Sequence, residues 1–155
     1  AFGMVVDGLS DPGNLGTLIR TADWFGVEGM WLSPDVVDPF NPKVVQASMG
    51  AIFRVKLWQR ELDGLFGEWA GTGVQTMGLA MDGEDVYAMP GVPGDPAKWV
   101  AVLGSESHGL TEVVAAACTM QVHIPGAGKT ESLNATMAAG MVLGEWFARA
   151  RGERG

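Results

Sequence analysis

Short apolar runs alternate along this chain with stretches in which apolar residues recur at helical spacing. The first such stretch follows Asn14, a residue type that often caps helix N-termini, and residues 10–13 before it are turn formers. Its apolar residues fall on one face of a helix: Leu15, Leu18, Ile19, Ala22 and Phe25. We therefore predict a helix that begins after Asn14, with Arg20 at the edge of its buried face.

The rest of the chain continues this alternation. Apolar runs predict strands at residues 3–7, 29–33, 53–58, 74–80, 99–104 and 120–124. Helical patterns occupy residues 44–48, 61–70, 111–117 and 133–151. Strands that alternate with helices predict an α/β fold, with a mostly parallel sheet and helices on both faces. Ligands of such sheets bind beyond the carboxyl ends of the strands, where three polar, glycine-containing loops are predicted.

Composition favours one domain with a substantial core. The chain has 155 residues, of which 47% are hydrophobic. It contains no uninterrupted apolar run of about 18 residues, so we expect no membrane association. The single cysteine, Cys118, lies in an apolar segment, which predicts a small buried core residue and excludes an internal disulfide. A lone cysteine also suits a reducing cytoplasm, where we expect the protein to act.

The net charge argues against a broad nucleic-acid surface. The chain carries 10 basic and 18 acidic residues, a formal net charge of −8, whereas phosphate binding favours a positive face. Any contact with RNA must therefore be local, and basic side chains are more often simply solvated. The candidate basic residues are Arg54, Lys56, Arg60, Lys129, Arg149, Arg151 and Arg154.

Two glycine-containing segments match other catalytic motifs incompletely. GAGKT at residues 126–130 ends like a phosphate-binding loop, but His123 stands where the first glycine belongs. SESHG at residues 105–109 has Ser105 in place of the first glycine of a nucleophile elbow around Ser107. We therefore set both activities aside and expect His123 to be a strand residue with a satisfied hydrogen bond. One cysteine and two histidines without ligand spacing predict no metal site.

Three segments in order carry a family resemblance. They are NLGTLIRTADWFGVEGMWL from Asn14, VLGSESHGL from Val102 and IPGAGKTESLNATMAAGMVL from Ile124. Together they resemble the three motifs of the SpoU (TrmH) class of the SPOUT superfamily, which are RNA ribose 2'-O-methyltransferases. The resemblance implies an enzyme with an α/β sheet and a C-terminal deep trefoil knot. It also implies a homodimer, an S-adenosylmethionine cofactor bound by the knotted loops, and an active site completed across the subunit interface.

The same resemblance identifies candidate site residues. Ser107 and Ala135 depart from the glycine and valine that are usual in the family, but neither change removes a functional group. The candidate catalytic residues are Arg20, Asn14, Glu106, Ser132 and Asn134. For the cofactor, the resemblance implies backbone contacts and a lining of the adenine side. The backbone candidates are Gly104, Ile124 and Leu133, and the lining candidates are Leu79 and Ala80.

Displacement chemistry suggests roles for the catalytic candidates. The ribose oxygen attacks a sulfonium methyl group, so the enzyme must align the reacting atoms and remove a weakly acidic proton. A guanidinium stays protonated, which favours Arg20 as a phosphate clamp that stabilises charge on the 2'-oxygen rather than as the base. Asn14 and Asn134 would position this clamp, and Ser132 would hydrogen-bond near the hydroxyl. Glu106 or a phosphate oxygen would take the proton, unless Glu106 instead binds backbone amides at the start of the next helix.

The charge and the start of the chain bear on which RNA is the substrate. We favour ribosomal RNA over transfer RNA, because a separate N-terminal RNA-binding domain is common in ribosomal members and would offset the acidic charge. Ala1 lies inside a predicted strand, without an initiating methionine or a signal sequence, so we expect such a domain to precede it. Residues 1–155 would then form the catalytic domain. The alternatives are a transfer RNA ribose 2'-O-methyltransferase and a non-catalytic relative that binds RNA or cofactor.

Overall fold

The computed structural model describes residues 2–152, which are arranged around a six-stranded sheet. The strands are β1 (Gly3–Val6), β2 (Gly29–Leu32), β3 (Lys56–Gln59), β4 (Gln75–Asp85), β5 (Trp99–Leu103) and β6 (Met120–His123). The helices are α1 (Pro12–Trp24), α2 (Pro42–Ser48), α3 (Leu62–Trp69), α4 (Glu112–Ala117) and α5 (Ala135–Ala150). Short 3-10 turns lie at Ala51–Phe53 and Pro96–Lys98.

The sheet is parallel and its central strands β1 and β5 are buried on both faces, which confirms the predicted α/β fold. Its order is β3-β2-β1-β5-β4-β6, and every strand pairing among residues 2–152 is parallel. Val6 belongs to the core cluster that includes Leu15 of α1 and Trp146 of α5, whereas Val5 belongs to the cluster on the other face, which includes Leu65 of α3. This two-sided burial explains why β1 is a continuous apolar run. The trefoil knot stays a prediction.

Helix α1 begins earlier than the sequence pattern predicts. Asp11 is its N-cap, because the Asp11 Oδ1 accepts a hydrogen bond from the Asn14 amide at 2.8 Å. Pro12 is the first residue of the helix, where its fixed φ suits the helical backbone. Its missing N–H costs nothing there, because the N–H groups of the first turn have no acceptor within the helix. The prediction that Asn14 caps this helix is therefore wrong, since aspartate caps equally well and Pro12 favours the earlier start.

Three further boundaries differ from the sequence predictions. β3 begins later than predicted, because Met49 and Gly50 have φ values of 52° and 85° and residues 51–53 then form a 3-10 turn. β4 continues through a bulge to Asp85. α5 begins at Ala135 because the Asn134 side chain caps it. The last difference places a candidate catalytic residue at a helix start.

Cys118 meets its prediction only in part. It is half-buried and packs against the core cluster on the α3 and α4 side of the sheet. Its chain position explains this, because α4 has just ended at Ala117 and the backbone is turning into β6. Desolvation, followed by the nearby charge of Asp7, raises the pKa of the Cys118 thiol to about 11.

Candidate active site

The three motif loops follow β1, β5 and β6, so they meet at the carboxyl edge of the sheet, as predicted. The Asp11 amide, in the loop after β1, donates a hydrogen bond to the Glu106 Oε1 at 3.2 Å. The Asn134 Nδ2, after β6, donates to the Asn14 Oδ1 at 3.4 Å. Contacts between residues so distant in sequence show that the three loops lie together.

Asn14 and Asn134 join the first turns of α1 and α5. The Asn134 Oδ1 accepts hydrogen bonds from the amides of Thr136 at 2.9 Å and Met137 at 3.3 Å, and so caps α5. Its Nδ2 remains available for Asn14. The Thr136 hydroxyl adds a hydrogen bond to the Asn14 carbonyl at 3.4 Å. An asparagine amide carries both an acceptor and a donor, which is why one side chain can cap a helix and bind its neighbour.

Gly104 allows the loop after β5 to close tightly. A Cβ at this position would lie 1.9 Å from the Gly109 carbonyl carbon, a distance that no side chain tolerates. Ser105 and Gly109 exchange two backbone hydrogen bonds of 3.1 and 3.0 Å, and Gly109 has a φ of +68°. Glu106 therefore lies at the tip of a short closed loop.

Glu106 is exposed and binds an amide of the first motif loop. That amide belongs to Asp11, the N-cap of α1. The alternative interpretation placed Glu106 on the amides that begin the next helix, α4, but Thr111 caps that helix through its Oγ1 and the Val114 amide. That alternative is therefore wrong: Glu106 binds an amide at the start of α1 rather than at the start of α4, because the tight loop directs its side chain towards α1.

Asp7 is a buried carboxylate beside the motif loops that the sequence reasoning missed. It follows β1 directly and is 6% exposed. Its Oδ2 accepts hydrogen bonds from the amide and the hydroxyl of Thr111, both at 2.9 Å. Asp7 thus ties the end of the loop after β5 to β1. The sequence did hold a signal for Asp7: a charged residue directly after an apolar strand is seldom buried unless its carboxylate has a hydrogen-bond partner.

Arg20 and Ser132 are not part of this hydrogen-bonded cluster. Both are exposed, and within residues 2–152 neither side chain has a hydrogen-bond or ion-pair partner. Arg20 lies one helical turn before Trp24, which is 82% exposed, on the outer ridge of α1. The structure therefore links Asn14 to Asn134 and the Asp11 amide to Glu106, and leaves Arg20 exposed further along α1.

The loop after β6 has the chemistry to bind a ligand through its backbone. Residues 125–133 form no hydrogen bonds with other parts of the described chain, so their amides and carbonyls are available. Around Gly126 and Gly128 an added Cβ would meet nothing within 4 Å. Ile124 packs against the core, whereas Leu133 is exposed. Exposed backbone donors and acceptors in an open loop fit the polar edge of an adenine ring.

Four of the seven candidate basic residues have internal partners, and one of these is Arg151, whose guanidinium lies 5.5 Å from the centre of the Phe147 ring. Arg54 pairs with Asp23 and Arg60 pairs with Glu68, each at 2.7 Å, and the hydrogen bond to Arg60 lowers the pKa of Glu68. Arg149 bonds Glu145 at 2.9 Å and donates to carbonyls of residues 86, 87 and 89. The prediction that Arg149 is available to RNA is therefore wrong, because its guanidinium fixes a turn to α5. Arg154 lies outside the described residues.

Other features of the chain lie away from this site. Two shallow cavities of about 220 and 320 Å³ contain none of the candidate site residues. The larger group of aromatic side chains, around Trp31 and Trp58, lies at the amino ends of the strands. Among residues 2–152 there is no cluster of potential metal ligands and no helix long and apolar enough to cross a membrane.

Comparison with known proteins identifies the family to which this fold and these loops belong. Residues 1–144 match the SpoU rRNA methylase family. The chain belongs to this family. The SpoU match covers all three motif loops, and it confirms the resemblance that the sequence carries.

Individual SpoU relatives match over most of the chain. An uncharacterized tRNA/rRNA methyltransferase of Synechocystis sp. is 36% identical over 150 residues, which cover 93% of this chain and 52% of the relative. The 23S rRNA (guanosine-2'-O)-methyltransferase RlmP of Bacillus subtilis is 29% identical, covering 90% of this chain and 55% of RlmP. An AdoMet-bound rRNA methyltransferase structure from Sinorhizobium meliloti has a TM-score of 0.85 and 32% identity, covering 96% of this chain and 56% of that one. The chain thus spans about half the length of the curated relatives it matches.

Proposed function

We propose that this SpoU chain is the catalytic domain of an S-adenosylmethionine-dependent RNA methyltransferase that acts on a ribose 2'-hydroxyl. The observation that carries the proposal is the contact between the motif loops, in which Asn134 binds Asn14 and the Asp11 amide binds Glu106. The B. subtilis relative, named as a guanosine 2'-O-methyltransferase, supports the reaction type. The AdoMet-bound neighbour from S. meliloti supports the cofactor.

The cofactor is bound mainly by backbone. Gly104, Ile124 and Leu133 contribute amides and carbonyls from the loops after β5 and β6, and Leu79 and Ala80 line the adenine side. When bound, S-adenosylmethionine supplies an electrophilic methyl group. Leu79 and Ala80 are half-buried at the point where β4 begins to bulge, so they present a partly apolar surface to the ring.

The catalytic side chains act on the RNA. Arg20 has no partner within the described fold, so its planar fork can grip the phosphate beside the target ribose and stabilise charge on the 2'-oxygen. The Asn14 and Asn134 pair fixes the first turn of α1 and thereby the direction of Arg20. Ser132 hydrogen-bonds near the hydroxyl. One oxygen of Glu106 accepts a hydrogen bond from the Asp11 amide, and the other can take the proton of the ribose hydroxyl. A phosphate oxygen of the RNA is the alternative base.

Substitution of Glu106 separates these two bases. Glu106→Gln keeps an oxygen that can accept a hydrogen bond from the Asp11 amide and removes the carboxylate that would take the proton, so methyl transfer should fall sharply if Glu106 is the base. Near-normal transfer by Glu106→Gln would leave the phosphate oxygen or another group as the base.

A homodimer completes the site in this proposal. Large apolar side chains are exposed on the neighbouring helices α1 and α5, with Trp24 82% and Met137 63% exposed. The Phe25 and Phe147 rings, 5.9 Å apart, join these two helices. An exposed apolar face of this kind marks an interaction surface, and Arg20 lies within it. A second copy docked there would place its own groups beside Arg20.

Light scattering of the purified chain tests the dimer. We expect a dimeric mass that falls to a monomeric mass in a Trp24→Glu and Met137→Glu double variant. Val113→Glu is the matched control, because Val113 is also 66% exposed but lies on α4, on the opposite face of the sheet. A monomeric unmodified chain, or a dimer that survives the double variant, contradicts this assembly.

We propose ribosomal RNA as the substrate and a separate upstream domain as the main RNA-binding part. The charge of −8 and the internal pairing of most arginines leave few groups for RNA, and Lys129 is exposed in the loop after β6. Equal RNA affinity of this chain and the full-length protein at one salt concentration would remove the case for that domain. Transfer RNA remains the alternative substrate, which the tRNA/rRNA name of the Synechocystis relative supports.

The deciding experiment maps 2'-O-methylated riboses in RNA from cells that lack the full-length gene, followed by transfer to the identified RNA in vitro. We expect one ribosomal position to lose its methyl group and the purified full-length protein to restore it. Loss at a transfer RNA position would identify the alternative substrate. No loss, together with cofactor binding but no transfer in vitro, would identify a non-catalytic relative.

A further inference from the structure

Strand β4 bulges where it runs beside β6. Leu79 and Glu84 both pair with Val122, so residues 80–83 have no counterpart on β6. Bulges of this kind occur next to active sites, where they redirect side chains. This bulge begins at Leu79 and Ala80, the two residues proposed to line the adenine side of the cofactor site.

His123 fastens the bulge to β6. Its Nδ1 lies 2.6 Å from the Gly83 carbonyl oxygen, which can only accept, so Nδ1 carries the proton and donates. The His123 carbonyl accepts a hydrogen bond from the Val86 amide at 3.1 Å. The approach is close, since a Cβ on Gly83 would lie 2.5 Å from the backbone nitrogen of Val122. Hydrogen bonds from one residue therefore fix the chain at the end of the bulge and just beyond it.

We propose that His123 is a positioning residue of the cofactor site, which fixes the β4 bulge relative to the loop after β6. The inference rests on the proposed function. Ile124 follows His123 directly, and Leu79 and Ala80 begin the bulge, so His123 sets the spacing between two walls of the site. Without this hydrogen bond the bulge would become ordered only when the cofactor binds, and that ordering would reduce affinity.

Two substitutions of His123 and one control test the role. His123→Phe keeps a ring of similar size and removes the donor, whereas His123→Asn retains an amide donor near the Nδ1 position. Gln121→Leu is the matched control. Gln121 also lies on β6, and its Nε2 donates to the Ala115 carbonyl at 3.2 Å, away from the bulge. The measurements are calorimetry with S-adenosylmethionine and hydrogen–deuterium exchange of the whole chain.

We expect His123→Phe to weaken cofactor binding about 5-fold, the equivalent of one hydrogen bond worth about 1 kcal/mol. It should also speed amide exchange at residues 80–86. His123→Asn should recover most of both properties, and Gln121→Leu should change neither.

Unchanged exchange or unchanged affinity in His123→Phe overturns the proposal. An equal loss of affinity in Gln121→Leu also overturns it, because the effect would then reflect general stability. If the unmodified chain binds no S-adenosylmethionine, the cofactor assignment fails, and the positioning role fails with it even where exchange shows that His123 holds the bulge.

Discussion

Replacement of Arg20 by alanine tests the proposed mechanism most directly. The Arg20 side chain is exposed and has no partner within residues 2–152, so its removal should change the free energy of unfolding by no more than about 0.5 kcal/mol. In the proposal it acts on the substrate in the transition state. Loss of one such preorganised donor reduces turnover about 100- to 1000-fold, or about 2.7–4 kcal/mol. Catalysis should therefore collapse while stability and cofactor affinity are retained.

The assay is 2'-O-methyl transfer by the full-length protein, with calorimetry and urea unfolding in parallel. Arg60→Ala is the control, because it removes another arginine, one that pairs with Glu68 at 2.7 Å, and it should retain activity. Arg20→Lys should recover little activity, since an ammonium cannot reproduce the planar fork of a guanidinium. Near-normal turnover in Arg20→Ala would refute the reasoning and leave Arg20 as a solvated surface residue.

Three further changes test the structure around the site. Asp7→Ala removes the acceptor for the Thr111 amide and should lower the free energy of unfolding by about 1–3 kcal/mol. Urea unfolding measures this change, and an unchanged midpoint would contradict it. Gly104→Ala places a Cβ 1.9 Å from Gly109, so calorimetry should show loss of cofactor binding, and retained affinity would mean that the loop tolerates opening. Cys118 has a pKa raised to about 11, so its alkylation should be slow at pH 8 and accelerate towards pH 11. The pKa of Cys118 in the folded chain exceeds its ordinary value of about 9, so between about pH 9 and pH 11 the thiol ionises more readily in the unfolded chain. The free energy of unfolding should therefore fall as pH rises through this range, and the fall should be smaller in Cys118→Ala.

Much of the fold could be predicted from local pattern. The alternation of apolar runs and helical spacing placed all six strands and all five helices of the described residues, because buried strands are continuous apolar runs and helices repeat apolar residues along one buried face. The errors lie at element ends. Asp11 replaced Asn14 as a cap, and β4 continued past Ala80 to Asp85, because competing caps and bulges depend on contacts that periodicity does not record.

The motif order was enough to indicate the family, and it supplied the candidate site residues without their contacts. Glu106 binds the Asp11 amide only because Gly104 lets its loop close on Gly109. Arg149 was a candidate RNA contact by sequence, but its guanidinium donates internal hydrogen bonds because α5 places it against the carbonyls that follow β4.

The sequence by itself determined the α/β fold, the three motif loops and their place at the carboxyl ends of the strands, since these follow from hydrophobic periodicity and chain order. Only the tertiary structure decided which side chains are partners. Asn14 meets Asn134, Asp7 meets Thr111, and His123 meets Gly83 across distances in sequence that no local pattern encodes. The physical reason is that a hydrogen bond depends on distance and direction between two groups, and the packing of the sheet sets both.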